Sequence, residues 1–228
     1  MDDLTLKRLM KLKRYCTLLQ ALPFIRAIVL NGSLAIGPAQ KTSDIDLLVI
    51  TQSQRIFTAR FLVNSVLTLS RQKRPSNENK AHSGKFCPNY FLNESFLKIP
   101  TGRSPSIDLY CANNYSRAIL ITGEQTLFSR FKKINNELFN KADGLSQGEL
   151  KHQRKLKVFF PVKERAFVQI AKHFLERILA GWFGDRVEKK LKLWQIRKIE
   201  KDSRTRKYPN LIVFNDDELR FHPPSGKF

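Results

Sequence analysis

Residues 31–50 read NGSLAIGPAQKTSDIDLLVI: a Gly32-Ser33 pair, ten intervening residues, then Asp44 and Asp46 at the head of an otherwise apolar run. In an extended strand alternate side chains share a face, so the two aspartates stand together while Ile45 and Leu47 face the other way. Neighbouring carboxylates repel, and a divalent cation relieves the repulsion. Mg²⁺ suits this task because it takes one or two carboxylates together with the oxygens of a substrate phosphate. Taken alone, Asp-x-Asp is equally the solvent face of an edge strand, Gly32 a turn residue and Ser33 a helix cap. Their joint order between two apolar runs is what separates the functional reading from that plain one.

Outward from this stretch, FIRAIVL (24–30) leads directly into Asn31-Gly32-Ser33 and reads as a first strand. DIDLLVI (44–50) reads as a second, after a turn at Gly37-Pro38. Leu9, Leu12, Cys16 and Leu19 recur at helical spacing, which predicts a helix over 4–20 that stops before Pro23. Ile56, Phe57, Phe61, Asn64 and Leu67 sketch another across 53–70. RQKRPSNENKAHSGK (71–85) reads as a loop, and FCPNYFL after it as a third strand. Pro88 lacks an N–H and so calls for an edge position or a bulge there. Ser106 or Asp108 is placed to cap a helix over 108–120, a further helix covers 124–139, and KADGLSQGEL (141–150) is the best linker. Beyond it, Phe167, Ile170, Ala171, Phe174, Leu175, Ile178, Leu179, Trp182 and Phe183 keep a helical stripe for more than four turns, with Trp182 and Phe183 read as core. Asp185 is placed to cap a second helix carrying Val187, Leu191 and Trp194. LIVFNDDELRFHP closes as a hairpin turning at Asn215-Asp216-Asp217, with His222 read as structural.

The composition narrows the chemistry. Among 228 residues, 41 Lys and Arg face 20 Asp and Glu, a formal charge of +21 that favours polyanionic partners. Three cysteines without CxxC spacing fit a reducing compartment and argue against a disulfide scaffold or a zinc site. With no apolar run of spanning length and no signal-peptide core in MDDLTLKRLM, the expectation is a soluble cytoplasmic protein without a membrane partner.

Gly32-Ser33, the ten-residue gap and Asp44-x-Asp46, set between two strands, resemble the active-site motif of the DNA polymerase β-like nucleotidyltransferase superfamily. FCPNYFL, DLYCANN, WQIRKIEKDSRTRK and FNDDELRFHP extend the resemblance over nearly the whole chain, to uncharacterised bacterial nucleotidyltransferase-domain proteins. The resemblance implies an α+β nucleotidyltransferase fold over 1–125, a short mixed sheet flanked by helices. A basic helical C-terminal domain ending in a β-hairpin follows over 126–228. It implies that Gly32 and Ser33 contact the phosphates of a nucleoside triphosphate, that Asp44 and Asp46 hold Mg²⁺ or Mn²⁺, and that a nucleoside monophosphate passes to an acceptor hydroxyl. Active members add a third carboxylate on a later strand, which binds the catalytic metal and helps to deprotonate the acceptor. Here Asn89 stands where that acid is expected, and a neutral amide neither offsets metal charge nor takes a proton. Glu94 and Asp108 are the substitutes on offer, Asp108 being the assigned third catalytic and metal residue with helix capping as its ordinary alternative.

From Lys151 to Lys207, 18 Lys and Arg meet 6 Asp and Glu. Such an excess is too one-sided for paired surface charges, and Arg197, Lys198, Lys201 and Arg204 beside Trp194 are the assigned contacts to an RNA or DNA backbone. Two classes of function follow: metal-dependent nucleotidyl transfer, or a catalytically impaired nucleotidyltransferase-fold protein that binds nucleic acid or acts as an antitoxin-like partner.

Overall fold

Leu9, Leu12, Cys16 and Leu19 are all fully buried, and the helix they define, α1 (Asp3–Leu19), begins where the Asp2 carboxylate accepts the Thr5 N–H at 2.8 Å. The computed structural model describes residues 1–75, 83–102, 104–162, 166–208 and 211–221. After α1 come β1 (Ile25–Asn31), the four-residue α2 (Ser33–Ile36), β2 (Ile45–Thr51), α3 (Ile56–Leu69) and β3 (Phe86–Asn93). Then follow α4 (Pro105–Ser116), β4 (Ile119–Gly123), α5 (Gln125–Ile134), α6 (Asn136–Phe139), α7 (Gln147–Phe159) and α8 (Ala166–Ile178). The chain continues with α9 (Gly181–Glu200), α10 (Ser203–Lys207), β5 (Ile212–Phe214) and β6 (Glu218–Phe221).

The strands form one mixed sheet in the order β4-β1-β2-β3-β6-β5, giving an α+β fold. Among the described strands only β2 and β3 run parallel, with α3 between them in sequence. Alternation along β2 sends Ile45, Leu47 and Val49 into one apolar layer with α1 and α3, and Leu48 and Ile50 into another with Tyr90, Tyr115 and Phe131. Each fully buried leucine in these layers contributes about 2 kcal/mol of burial energy. No helix among the described residues is long and apolar enough to cross a membrane.

Pro88 is accommodated by a bulge. Leu47 faces Pro88 and Leu48 faces Tyr90, so Asn89 is the extra residue, and β3 is an internal strand between β2 and β6. The terminal hairpin turns where expected, with Asn215 Oδ1 accepting the N–H groups of Asp217 and Glu218 at 2.9 and 2.7 Å. Its strand β6 pairs with β3, and α9 packs on α3, so one sheet joins residues on both sides of the expected division at 125. His222 lies outside the described residues.

Several expectations need correction. ILITG (119–123) is β4, where the helix over 108–120 was to end; its β-branched run suits a strand beside β1. Ser104, two residues ahead of Ser106 and four ahead of Asp108, accepts the Ile107 N–H at 3.2 Å and starts α4. The linker segment ends in a capping box between Ser146 and Glu149 that opens α7.

The largest difference concerns the apolar stripe after 166. Gly181, at φ +67°, follows the break between α8 and α9, so Trp182 and Phe183 begin a new helix that starts ahead of Asp185. Both are exposed, 67% and 54%, rather than core. Along α8 the period is helical but the inward face carries Lys172 and Glu176 beside Val168. Lys172 donates to the Ile25 carbonyl, and Glu176 accepts the Phe24 N–H at 2.7 Å and pairs with Arg26 at 2.8 Å, while Ile170, Phe174 and Ile178 face outward. Phe24 has φ +68°, so its amide leaves the sheet ladder and takes a side-chain acceptor instead.

Candidate nucleotidyl-transfer site

The ladder brings the quoted stretch onto itself: Asn31 pairs with Asp46 across β1 and β2, and Cys87 flanks Asp46 from β3. Gly32 follows with φ +70°, and a Cβ added to it would collide with Asp46 Oδ2 and stand 3.1 Å from Asp46 Cβ. Only glycine permits both the backbone turn and this approach. The chain then enters α2, whose Leu34 and Ala35 are buried while Ser33 is exposed. From α7, His152 Nε2 donates to the Leu34 carbonyl at 3.0 Å and Gln153 donates to the Ala35 carbonyl at 3.0 Å. These bonds satisfy carbonyls that a one-turn helix leaves open and hold α2 against the body. Neither residue was assigned from sequence, because their partners are 118 positions away.

Asp44 and Asp46 lie side by side at the start of β2. Arg74 Nη1 pairs with Asp44 Oδ2 at 2.9 Å. The Asn89 side-chain amide donates to Asp46 Oδ1 at 2.9 Å, delivered there by the bulge, and its own Oδ1 is buried without a hydrogen-bond partner among the described residues. Burial, and after it the charge of Asp44, raises the Asp46 carboxyl to about 7, with Arg74 opposing.

Residues 9–85, from α1 to the edge of β3, match the family model of a nucleotidyltransferase domain. This segment is similar to a nucleotidyltransferase domain. It contains Gly32, Ser33, Asp44 and Asp46, and stops short of Asn89 and Asp108. No curated protein matches the sequence. Among solved structures, the crystal structure of a toxin–antitoxin with AMP-PNP is similar at 15% identity, covering 64% of this chain and 93% of that one with a TM-score of 0.33.

The other assigned residues fall around this segment in different ways. Asp108 sits in the first turn of α4, where its two oxygens receive the Gly102 N–H at 3.2 and 3.0 Å. It is not gathered with the pair: among the described residues no set of three or more His, Cys, Asp and Glu side chains is arranged to hold a metal ion. Glu94 lies beyond β3, pairing at 3.5 Å with Arg26, and is roughly 20 Å along the strand from the level of Asp46. Arg197 and Lys198 close α9, Lys201 caps it and Arg204 lies in α10. Lys198 and Arg204 line a cavity with Arg74 and Asn89, whereas Arg197 and Lys201 are exposed outside it.

The raised Asp46 carboxyl has a stability consequence in the metal-free protein. The folded chain keeps the Asp46 proton between about pH 4 and pH 7, where the unfolded chain has lost it. Stability therefore falls as pH rises through that window and levels off above it. Asp46→Asn is expected to remove this dependence and to stabilise the metal-free protein by roughly 2 kcal/mol at pH 8, the half-buried position discounting the full shift. Urea unfolding at pH 5 and pH 8 measures it. Equal pH dependence in wild type and variant would show that Asp46 does not carry the strain.

Proposed function

We propose that this protein binds a nucleoside triphosphate with Mg²⁺ or Mn²⁺ at Asp44 and Asp46 and transfers a nucleoside monophosphate to an acceptor hydroxyl. The observation that carries the reading is the approach of Gly32 to Asp46, which keeps a backbone turn free of side chain directly beside the paired carboxylates. The donor set fits a hard divalent cation: two carboxylates, an unpartnered amide oxygen on Asn89, and Arg74 already compensating Asp44 with positive charge. When bound, such a cation neutralises phosphate oxygens and the charge that develops on the leaving pyrophosphate.

The remaining work falls to the chain. The turn at Gly32 and the Ser33 hydroxyl orient the phosphates, and His152 and Gln153 keep α2 in place beneath them. Arg74 is placed to move from Asp44 to a phosphate oxygen when Asp44 takes a cation, since guanidinium binds either oxyanion.

A second reading, nucleotide binding without transfer, is favoured by one specific observation: the group beside Asp46 on β3 is an amide. It donates to the carboxylate and cannot accept the acceptor's proton. Incubation with each α-labelled triphosphate, Mg²⁺ and cellular RNA or protein separates the readings. Transfer predicts pyrophosphate release and a labelled macromolecule, both lost in Asp44→Asn. Saturable metal-dependent triphosphate binding with no labelled product on any acceptor would overturn transfer in favour of the second reading.

A further inference from the structure

Helices α3, α9 and α10 and the beginning of β3 enclose a cavity of about 510 Å³, a size typical of sites for small molecules. Its wall carries Arg60, Lys73, Lys198 and Arg204, and Asp202 is the one acid among the described residues lining it. That acid is already engaged, since Arg204 Nε and Nη2 donate to its two oxygens at 3.0 and 2.8 Å. Of the other cations, Arg74 pairs with Asp44 outside the wall, while Arg60, Lys73 and Lys198 have no carboxylate partner among the described residues. Arg60 donates to Gln195 Oε1 at 2.5 Å and lies 4.5 Å over the Phe221 ring, yet its buried Nε has no hydrogen-bond partner among the described residues. Burial first, then Arg60, Lys198 and Arg204, bring the Lys73 ammonium down to about 8. A buried donor left unpaired and cations crowded together both cost stability, and an anion relieves both.

The cavity also has an aromatic side. Phe61 and Trp194 meet edge to face at 6.1 Å, Trp194 is 51% exposed, and Lys198 Nζ stands 5.3 Å above its ring. A ligand with a phosphate at one end and a planar base at the other matches both sides.

We propose that this cavity binds a nucleoside phosphate independently of metal, with the phosphate held by Arg60, Lys73 and Lys198 and the base against Trp194 and Phe61. Arg74 and Asn89 line the same cavity and bond to Asp44 and Asp46, so these two side chains stand between the ligand and the carboxylate pair, neither member of which is in the cavity wall. Its role there is that of acceptor; this role rests on the transfer reading above, whereas binding does not.

The test uses the full chain carrying Trp182→Phe, which leaves Trp194 as the reporting tryptophan, in EDTA. Adenosine monophosphate is expected to quench its fluorescence saturably with a dissociation constant below about 1 mM, and adenosine at the same concentrations is not. Lys73→Met with Lys198→Met should weaken binding at least about tenfold with the circular dichroism spectrum unchanged, while Asp44→Asn with Asp46→Asn should leave it intact. Comparing the mononucleotide with a 5′-phosphorylated hexaribonucleotide identifies the source as free nucleotide or nucleic-acid end, and tighter binding of either supports the site. Absence of saturable quenching by both probes, or undiminished affinity in the folded Lys73→Met, Lys198→Met protein, overturns the proposal. Intact binding without any transfer would count against the transfer reading alone.

Discussion

Exchanging Asp44 and Asp46 together for asparagine is expected to erase the rise in melting temperature that Mg²⁺ and a nucleoside triphosphate produce in the wild type. A ligand present at 100 times its dissociation constant and bound only by the folded chain stabilises it by about 2.7 kcal/mol, which for a chain of this size is roughly 5–10 °C. Nearly all of that gain should vanish, because two amides offer no charge to a divalent cation and the triphosphate then brings uncompensated negative charge to the site. Each variant must be compared with its own metal-free state, since Asp46→Asn relieves the strain of a buried carboxyl and shifts the baseline upward. Differential scanning fluorimetry with metal alone, triphosphate alone and both together makes the measurement. A metal-dependent shift, beyond the one triphosphate alone produces, that survives in the double variant would move the metal site elsewhere and remove the basis for transfer. The cavity beside α9 provides an internal control, because adenosine monophosphate binding there does not depend on the two aspartates.

The distance over which a residue finds its partner explains what was legible in the chain. The element pair around Gly32-Ser33 and Asp44-x-Asp46 was readable because strand alternation, a glycine turn and an apolar run act within twenty residues, and β1 and β2 then pair antiparallel with Asn31 opposite Asp46. Pro88 carried a local signal too: a missing N–H inside a strand demands a bulge or an edge, and the bulge is what aims Asn89 at Asp46. The same logic failed for α8. Its period is visible, but a period does not say which face is buried, and the Phe24 amide, which lies off the sheet ladder, and the Ile25 carbonyl take Glu176 and Lys172 as partners from about 150 residues away. β4 was hidden for a related reason, since ILITG is too short to separate strand from helix until β1 supplies its partner. Asp108 was assigned by position after a third strand, and the Gly102 amide, six residues away, occupies its carboxylate. The cationic cavity was half visible: the charge excess of the segment was countable, while the inclusion of Arg60 and Lys73 from the other half of the chain depended on α9 packing against α3.

Asn89→Asp should have the second large effect, and it bears on whether the site transfers or only binds. In the wild type the Asn89 amide donates to Asp46 Oδ1 at 2.9 Å. An aspartate in its place turns that hydrogen bond into a contact between two carboxyl groups, which in the metal-free protein must share a proton or repel. The metal-free variant should therefore melt below wild type at pH 8, and added Mg²⁺ or Mn²⁺ should recover more stability than it gives the wild type. A third carboxylate beside the pair also supplies what the amide lacks, a group able to take the acceptor's proton, and a positioned general base typically contributes 10²–10⁴-fold. Transfer is thus expected to increase on the order of 100-fold over whatever rate the wild type shows. The two readouts are independent: the melting data report whether position 89 faces Asp44 and Asp46, and labelled-product formation reports whether a base was the missing component. If metal recovers the lost stability but no product forms, the chain lacks an acceptor site rather than an acid, and nucleotide binding is the activity that remains. If neither melting nor metal dependence changes, Asn89 does not share the space of Asp46 in solution, and its assignment as the residue standing in for a third carboxylate is wrong.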